Sequence, residues 1–151
     1  SCPECSGGIL YDGWDAFNVR ISSDGGETWE ILQDVQPAYN STDTYSFGYE
    51  FGEGCGIPGW GGPETANPTW TATTISIPTA YNGQEVIIRF AFSADPGYCT
   101  TDNNSLTGVW VDNIDVAGVF TNNGEDETGF EFCACTVSGV CGAANPRLDV
   151  F

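Results

Sequence analysis

At 151 residues the chain is long enough for one domain with its own core. It carries 21 acidic residues against 3 basic ones, a formal net charge of −18, with no His and no Lys. Such a surface repels phosphate backbones and anionic membranes, and no stretch approaches the ~20 apolar residues of a membrane span, which sets aside nucleic acid and membrane insertion.

Short runs of β-favouring residues alternate with turn residues throughout, and no segment sustains a helical apolar period. The first run places Phe17, Val19 and Ile21 on one strand face and Asn18, Arg20 and Ser22 on the other. It leads into "SSDGGETW" (22–29), whose spacing S-x-D-x-G-x-T-W is that of the Asp-box, a hairpin repeated in sialidases. Asp24 is expected to bond turn amides, Gly25 and Gly26 to take unusual dihedrals, and Trp29 to pack beneath. Two further strands, "TWTATTISI" (69–77) and "EVIIRFAF" (85–92), are joined by a turn around Asn82-Gly83. "GVWVDNIDV" (108–116) is another, with Trp110 in the core and a bulge at Asp112-Asn113, where the apolar residues change face. "GFEFCACTV" (129–137) alternates well, and "RLDVF" (147–151) makes a last short strand.

Two long connections interrupt this pattern, one from about residue 37 to 68 containing "YSFGYEFGEGCGIPGWGG", the other over 93–108. Loops of this length are uncommon unless they act or are pinned. The fold expected is all-β: a jelly-roll-like antiparallel β-sandwich with long Gly- and aromatic-rich loops. Residues 1–120 form the sandwich module, and 121–151 an acidic linker and Cys-rich tail.

Seven cysteines, at Cys2, Cys5, Cys55, Cys99, Cys133, Cys135 and Cys141, point to an oxidising compartment and hence to an extracellular or cell-surface protein. Disulfides are the favoured reading, with Cys55 and Cys99 placed to bridge the two Gly-rich loops. The zinc alternative is weaker, because C-x-x-C at Cys2 and Cys5 is followed by C-x-C-x5-C rather than a second well-spaced pair. The odd count leaves one thiol free or paired with another chain. The carboxylates either attract neutralising calcium or form a solvated acidic coat.

Catalytic routes close for want of parts. A sialidase needs several Asp-boxes and an arginine clamp, whereas this chain has one such octet and three dispersed arginines, Arg20, Arg89 and Arg147. Without His there is no Ser-His-Asp or Cys-His pair, and without Lys no Schiff base. Carboxylate pairs at glycosidase spacing arise by chance among 21 acidic residues, so the chain is read as no enzyme. Glycan binding is a stronger rival, since Trp14, Trp60, Trp70, Trp110, Tyr39, Tyr45, Tyr49 and Tyr98 offer stacking surface. Trp60, glycine-flanked in "PGWGG", is the one whose position best suggests exposure to a ligand. Two N-x-S/T acceptors, Asn40 and Asn103, lie in expected loops.

Taken in order, "YDGWDAFNVRISSDGGETW", "IPGWGG", "GQEVIIRFAFSADP" and "GVWVDNIDV" resemble the MAM-like jelly-roll modules of secreted bacterial proteins. Those modules are best known as accessory domains of immune-inhibitor-A-type metallopeptidases. The resemblance covers about residues 9–117 and implies a role in binding, adhesion or stability. It also implies a calcium site built from Asp12, with Asp15, and Asp112, with Asn113; Asp95 and Asp102 are candidates for a second. Without calcium, Asp12-Gly13 is a turn and Asp112 a bulge-stabilising side chain. Two features depart from the pattern: the family's strands upstream of "DGWD" are absent, and the tail lies outside it. A jelly roll so shortened exposes an edge and an apolar face, to be covered by the tail or by another chain. The expected role is therefore a structural or adhesive subunit of a surface or filamentous assembly that self-associates. The alternative is a carbohydrate-binding accessory domain of a larger secreted enzyme.

Overall fold

The alternation of Phe17, Val19 and Ile21 becomes structure in β1 (Ala16–Ser22), the strand on which the rest is organised. A computed structural model describes residues 11–61, 69–97, 102, 108–125 and 129–130, together with the strands spanning 132–137 and 145–150. Among these the fold is all-β, with nine strands in three antiparallel sheets and only a π-helical turn, Ser46–Glu50, and a 3-10 turn, Thr79–Tyr81, as helix. No helix among the described residues is long and apolar enough to cross a membrane.

The main sheet runs in the order β2 (Glu30–Ile31), β1, β5 (Ile87–Ser93), β9 (Asn145–Val150), β8 (Phe132–Val137). Along β1 and β5, Phe17 faces Phe92, Val19 faces Phe90 and Ile21 faces Ile88. This apolar face forms a core of Val19, Ile21 and Leu32, against which Phe17, Trp60, Ile75, Tyr81, Ile88 and Phe90 pack. Each of the fully buried three, Val19, Ile21 and Leu32, stabilises the fold by about 1.5–3 kcal/mol.

The opposite face of β1 is buried as well. Ala16, Asn18, Arg20 and Ser22 lie opposite Ser93, Ala91, Arg89 and Ile87, and residues 47–58 of the first long connection cover Ala16, Asn18 and Arg20. Phe47, in the π-helical turn, packs on Ala16 and Ala91 with Ile57 alongside. The Asn18 Nδ2 donates to the Pro58 carbonyl at 2.9 Å, and the Arg20 guanidinium lies 4.6 Å from the centre of the Phe47 ring. The connection expected as a surface loop is thus the second wall of the sheet. Gly59 makes the close approach possible: a Cβ there would stand 3.0 Å from that of Ala16 and 3.1 Å from the Phe17 carbonyl oxygen.

The Asp-box turn forms as expected. Thr28 donates its backbone N–H to Asp24 Oδ1 at 3.0 Å, and the Gly26 N–H reaches Ser22 Oγ at 2.9 Å. Gly25 and Gly26 adopt φ of 77° and 91°, and the Trp29 indole donates to the Gly26 carbonyl at 3.0 Å. Hydrogen bonds from Thr28 and Ser22 hold the Asp24 carboxyl well below the usual range.

Elsewhere the strands are shorter than expected. Of 69–77 only β4 (Thr74–Ile75) is strand, and it pairs with β3 (Val35–Gln36) rather than forming a hairpin with β5. Of 108–116 only β6 (Ile114–Val116) pairs, with β7 (Phe120–Asn122), and Asn113 sits just before it at a φ of 52°. Trp110 is exposed rather than in the core, because the stretch before β6 has no described strand to hold it against a sheet. The boundary expected between 120 and 121 falls inside β7. The tail folds onto the sheet: β9 pairs with β5 through Phe90–Val150, Ala91–Asp149 and Phe92–Leu148, and β8 pairs with β9.

Candidate functional site

At one end of β1, residues 11–15 and the connection 41–57 are stitched together by a single carboxylate. Asp12 accepts from the backbone N–H groups of Thr42 and Asp43, both at 2.9 Å, from Thr42 Oγ1 at 2.7 Å, and from the Ser41 hydroxyl. Its own N–H donates to the Asp43 carbonyl at 3.0 Å. Burial pushes the Asp12 carboxyl up, but the hydrogen bonds from Ser41, Asp43 and Thr42 outweigh it and hold the group well below the usual range. Asp43 in turn accepts from the Gly56 N–H at 2.8 Å, so the clamp extends across the connection.

The clamp fixes a group of aromatic rings. Tyr45 donates its N–H to the Gly13 carbonyl at 2.8 Å, and Ser46 donates to the Trp14 carbonyl at 3.1 Å. Around the Tyr45 ring stand Tyr11, Trp14 and Tyr49, with centroids at 5.4, 5.2 and 5.0 Å. Such tilted and edge-on pairs are favourable arrangements for aromatic quadrupoles.

Asp15, next in sequence, turns to a different partner. Its Oδ1 accepts from the Asp95 N–H at 2.8 Å. Burial pushes the Asp15 carboxyl up, the Asp95 N–H partly offsets this, and the neighbouring Asp95 charge adds to the rise. Asp112 accepts from the Asn113 N–H at 2.7 Å and lies against Gly124, so it shapes the turn before β6. The residues expected to bind calcium are therefore engaged separately: Asp12 with 41–43, Asp15 with Asp95, and Asp112 with Asn113. Among the described residues no group of three or more His, Cys, Asp or Glu side chains is placed to hold a metal ion.

Trp60 does not stand out into solvent as its glycines suggested. Its ring lies 5.8 Å from Phe17 and 4.5 Å from Tyr39, and its indole N–H donates to the Pro37 and Ala38 carbonyls at 3.0 and 3.1 Å. The glycine at 59 serves packing rather than exposure. The Asn40 amide is bonded at both ends to Gly61, donating to its carbonyl at 2.7 Å and accepting from its N–H at 2.8 Å. Cys55 is disulfide-bonded. Cys133 and Cys135 lie on β8, while Cys2, Cys5, Cys99, Cys141 and Asn103 fall outside the described residues.

Comparisons of the chain with family models, with curated proteins and with solved structures find no match.

The clamp makes a prediction about acid. Because the folded Asp12 carboxyl lies below its unfolded value of 3.8, its contribution is present above that pH and is lost as pH falls through and below it. Asp12→Ala is expected to lower stability by about 1–2 kcal/mol at neutral pH, as for loss of a strong capping side chain. Thermal melts from about pH 7 down to about pH 2 should show the gap between wild type and variant closing in acid. A gap that stays constant would mean that Asp12 acts through shape rather than charge.

Proposed function

We propose that the chain is a non-catalytic, extracellular β-sandwich module of jelly-roll type with a structural or adhesive role, a subunit of a surface or filamentous assembly. One observation supports this above the others. Val109, Trp110 and Val111 are 40, 68 and 40 % exposed, and Val119, at the tip of the β6–β7 hairpin, is 83 % exposed. Isolated surface hydrophobes are ordinary, but three in succession suit burial against another chain. Among the described residues, 108–113 pair with no strand, so their backbone groups are also suited to strand addition. The oxidising-compartment reading of the cysteines, the lack of His and Lys, and the MAM-like order of motifs agree with a secreted, non-catalytic role.

Sedimentation velocity over a concentration series tests the reading. The protein is expected to run as oligomers or fibres, with Trp110→Ser and Val119→Lys shifting it to monomer while leaving the circular dichroism unchanged. A monomer at every concentration would overturn it.

A further inference from the structure

The aromatic group around Tyr45 serves the core less than its size would allow. Trp14 is 61 % exposed and Tyr49 43 %, although the core beneath them is already closed by Phe47, Ala16 and Ala91. Two large rings are left on the surface over a backbone that does not have room to move. Gly13 is bridged to Thr44, Tyr45 and Ser46 are bonded to the carbonyls of Gly13 and Trp14, and Asp12 fastens Ser41, Thr42 and Asp43 just before them. Gly48 fixes the turn carrying Tyr49, since a Cβ there would come within 2.5 Å of the Gly54 carbonyl oxygen. A ligand meeting these rings would not have to order them first.

The polar groups around the rings say what kind of ligand fits. Of the carboxylates close to the rings in sequence, Asp12 holds its four donors and one oxygen of Asp15 is held by the Asp95 N–H, whereas Glu50, next to Tyr49, has no hydrogen-bond or ion-pair partner among the described residues and is open to a ligand hydroxyl. The rings themselves carry neutral open groups: among the described residues neither the Trp14 indole N–H nor the Tyr49 hydroxyl has a hydrogen-bond partner. The net charge of −18 disfavours any anionic ligand. Flat apolar rings edged by uncommitted neutral donors and acceptors match a sugar ring, which has apolar C–H faces and a rim of hydroxyls.

We propose that Trp14, Tyr45 and Tyr49 form a binding platform for an uncharged glycan chain, with pyranose faces stacking on Trp14 and Tyr49. The site shares no residue with the surface around Trp110, so it stands or falls independently of self-association.

Isothermal titration of the whole chain with neutral hexasaccharides of the cellulose, chitin, β-mannan and β-xylan types tests this, with a sulfated heparin hexasaccharide and a hexa-arginine peptide as competitors in class. Binding of at least one neutral hexasaccharide is expected, weakened about tenfold or more by Trp14→Ala and by Tyr49→Ala. Both side chains are exposed, so either variant should keep the wild-type melting temperature within a few degrees; a variant that does not is replaced by Trp14→Gln or Tyr49→Gln. Failure of all four neutral sugars, tighter binding of the heparin or arginine probe, or affinity unchanged in both variants would each overturn the proposal.

Discussion

Replacing Phe47 with alanine is expected to lower the free energy of unfolding by about 3–5 kcal/mol, read from urea denaturation. The ring is fully buried between the main sheet and the connection that covers it, packed on Ala16 and Ala91. Truncation would leave a void with a sheet on one side and a hydrogen-bonded loop on the other, and neither side can easily collapse into it. A small domain has only about 5–15 kcal/mol of stability, so the variant should stand close to unfolding at moderate temperature. A loss under about 1 kcal/mol would mean that the connection does not wall the sheet.

The second large effect is expected at Arg20. Its NH2 lies 2.9 Å from Glu53 Oε2, with the two side chains only 7 % and 19 % exposed, and its Nε donates to Asn18 Oδ1 at 2.8 Å. Arg20→Ala leaves Glu53 charged and sheltered without its counter-ion, a change that costs about 3–5 kcal/mol. Removing both charges should be far milder, because a buried ion pair gains little over well-packed apolar residues. The double variant Arg20→Met with Glu53→Leu is therefore expected to recover most of the loss in urea melts. If it proves as unstable as Arg20→Ala alone, the arginine acts through its packing on Phe47 rather than through charge. Since that ring and the guanidinium touch, effects at 20 and 47 should fall short of additive.

The sequence made one face of β1 plain and hid the other. Phe17, Val19 and Ile21 follow a two-residue period, and the Asp-box octet carries its own turn chemistry, so both were readable locally. The polar alternation of Asn18, Arg20 and Ser22 set them on the other face without saying what lies over it. Asn18 and Arg20 are buried by a stretch more than twenty residues away whose helical turn has no amphipathic period to announce it. The apolar run Val109–Trp110–Val111 failed for the opposite reason: alternation and β-propensity describe a strand only when another strand is there to pair with it. Near the candidate site, Asp12 and Asp15 were marked by the MAM-like resemblance, but their partners, Ser41 to Asp43 and Asp95, are distant in sequence and carry no shared motif. Trp14, Tyr45 and Tyr49 were visible as aromatic residues, while the glycines beside Trp60 pointed elsewhere. Those glycines record close backbone contact, which composition alone does not distinguish from a mobile loop.

The pairing of β9 with β5 bears on how the molecule is made. On the ribosome, β1 and β5 emerge well before the strand that lies beside them, so a row of unmatched amides and carbonyls waits on the nascent chain. Contacts that span so much sequence form slowly, and until they form the half-built sheet is open to the wrong neighbour. The cell that produces this protein has an interval to guard, set by translation speed rather than by anything in the finished fold.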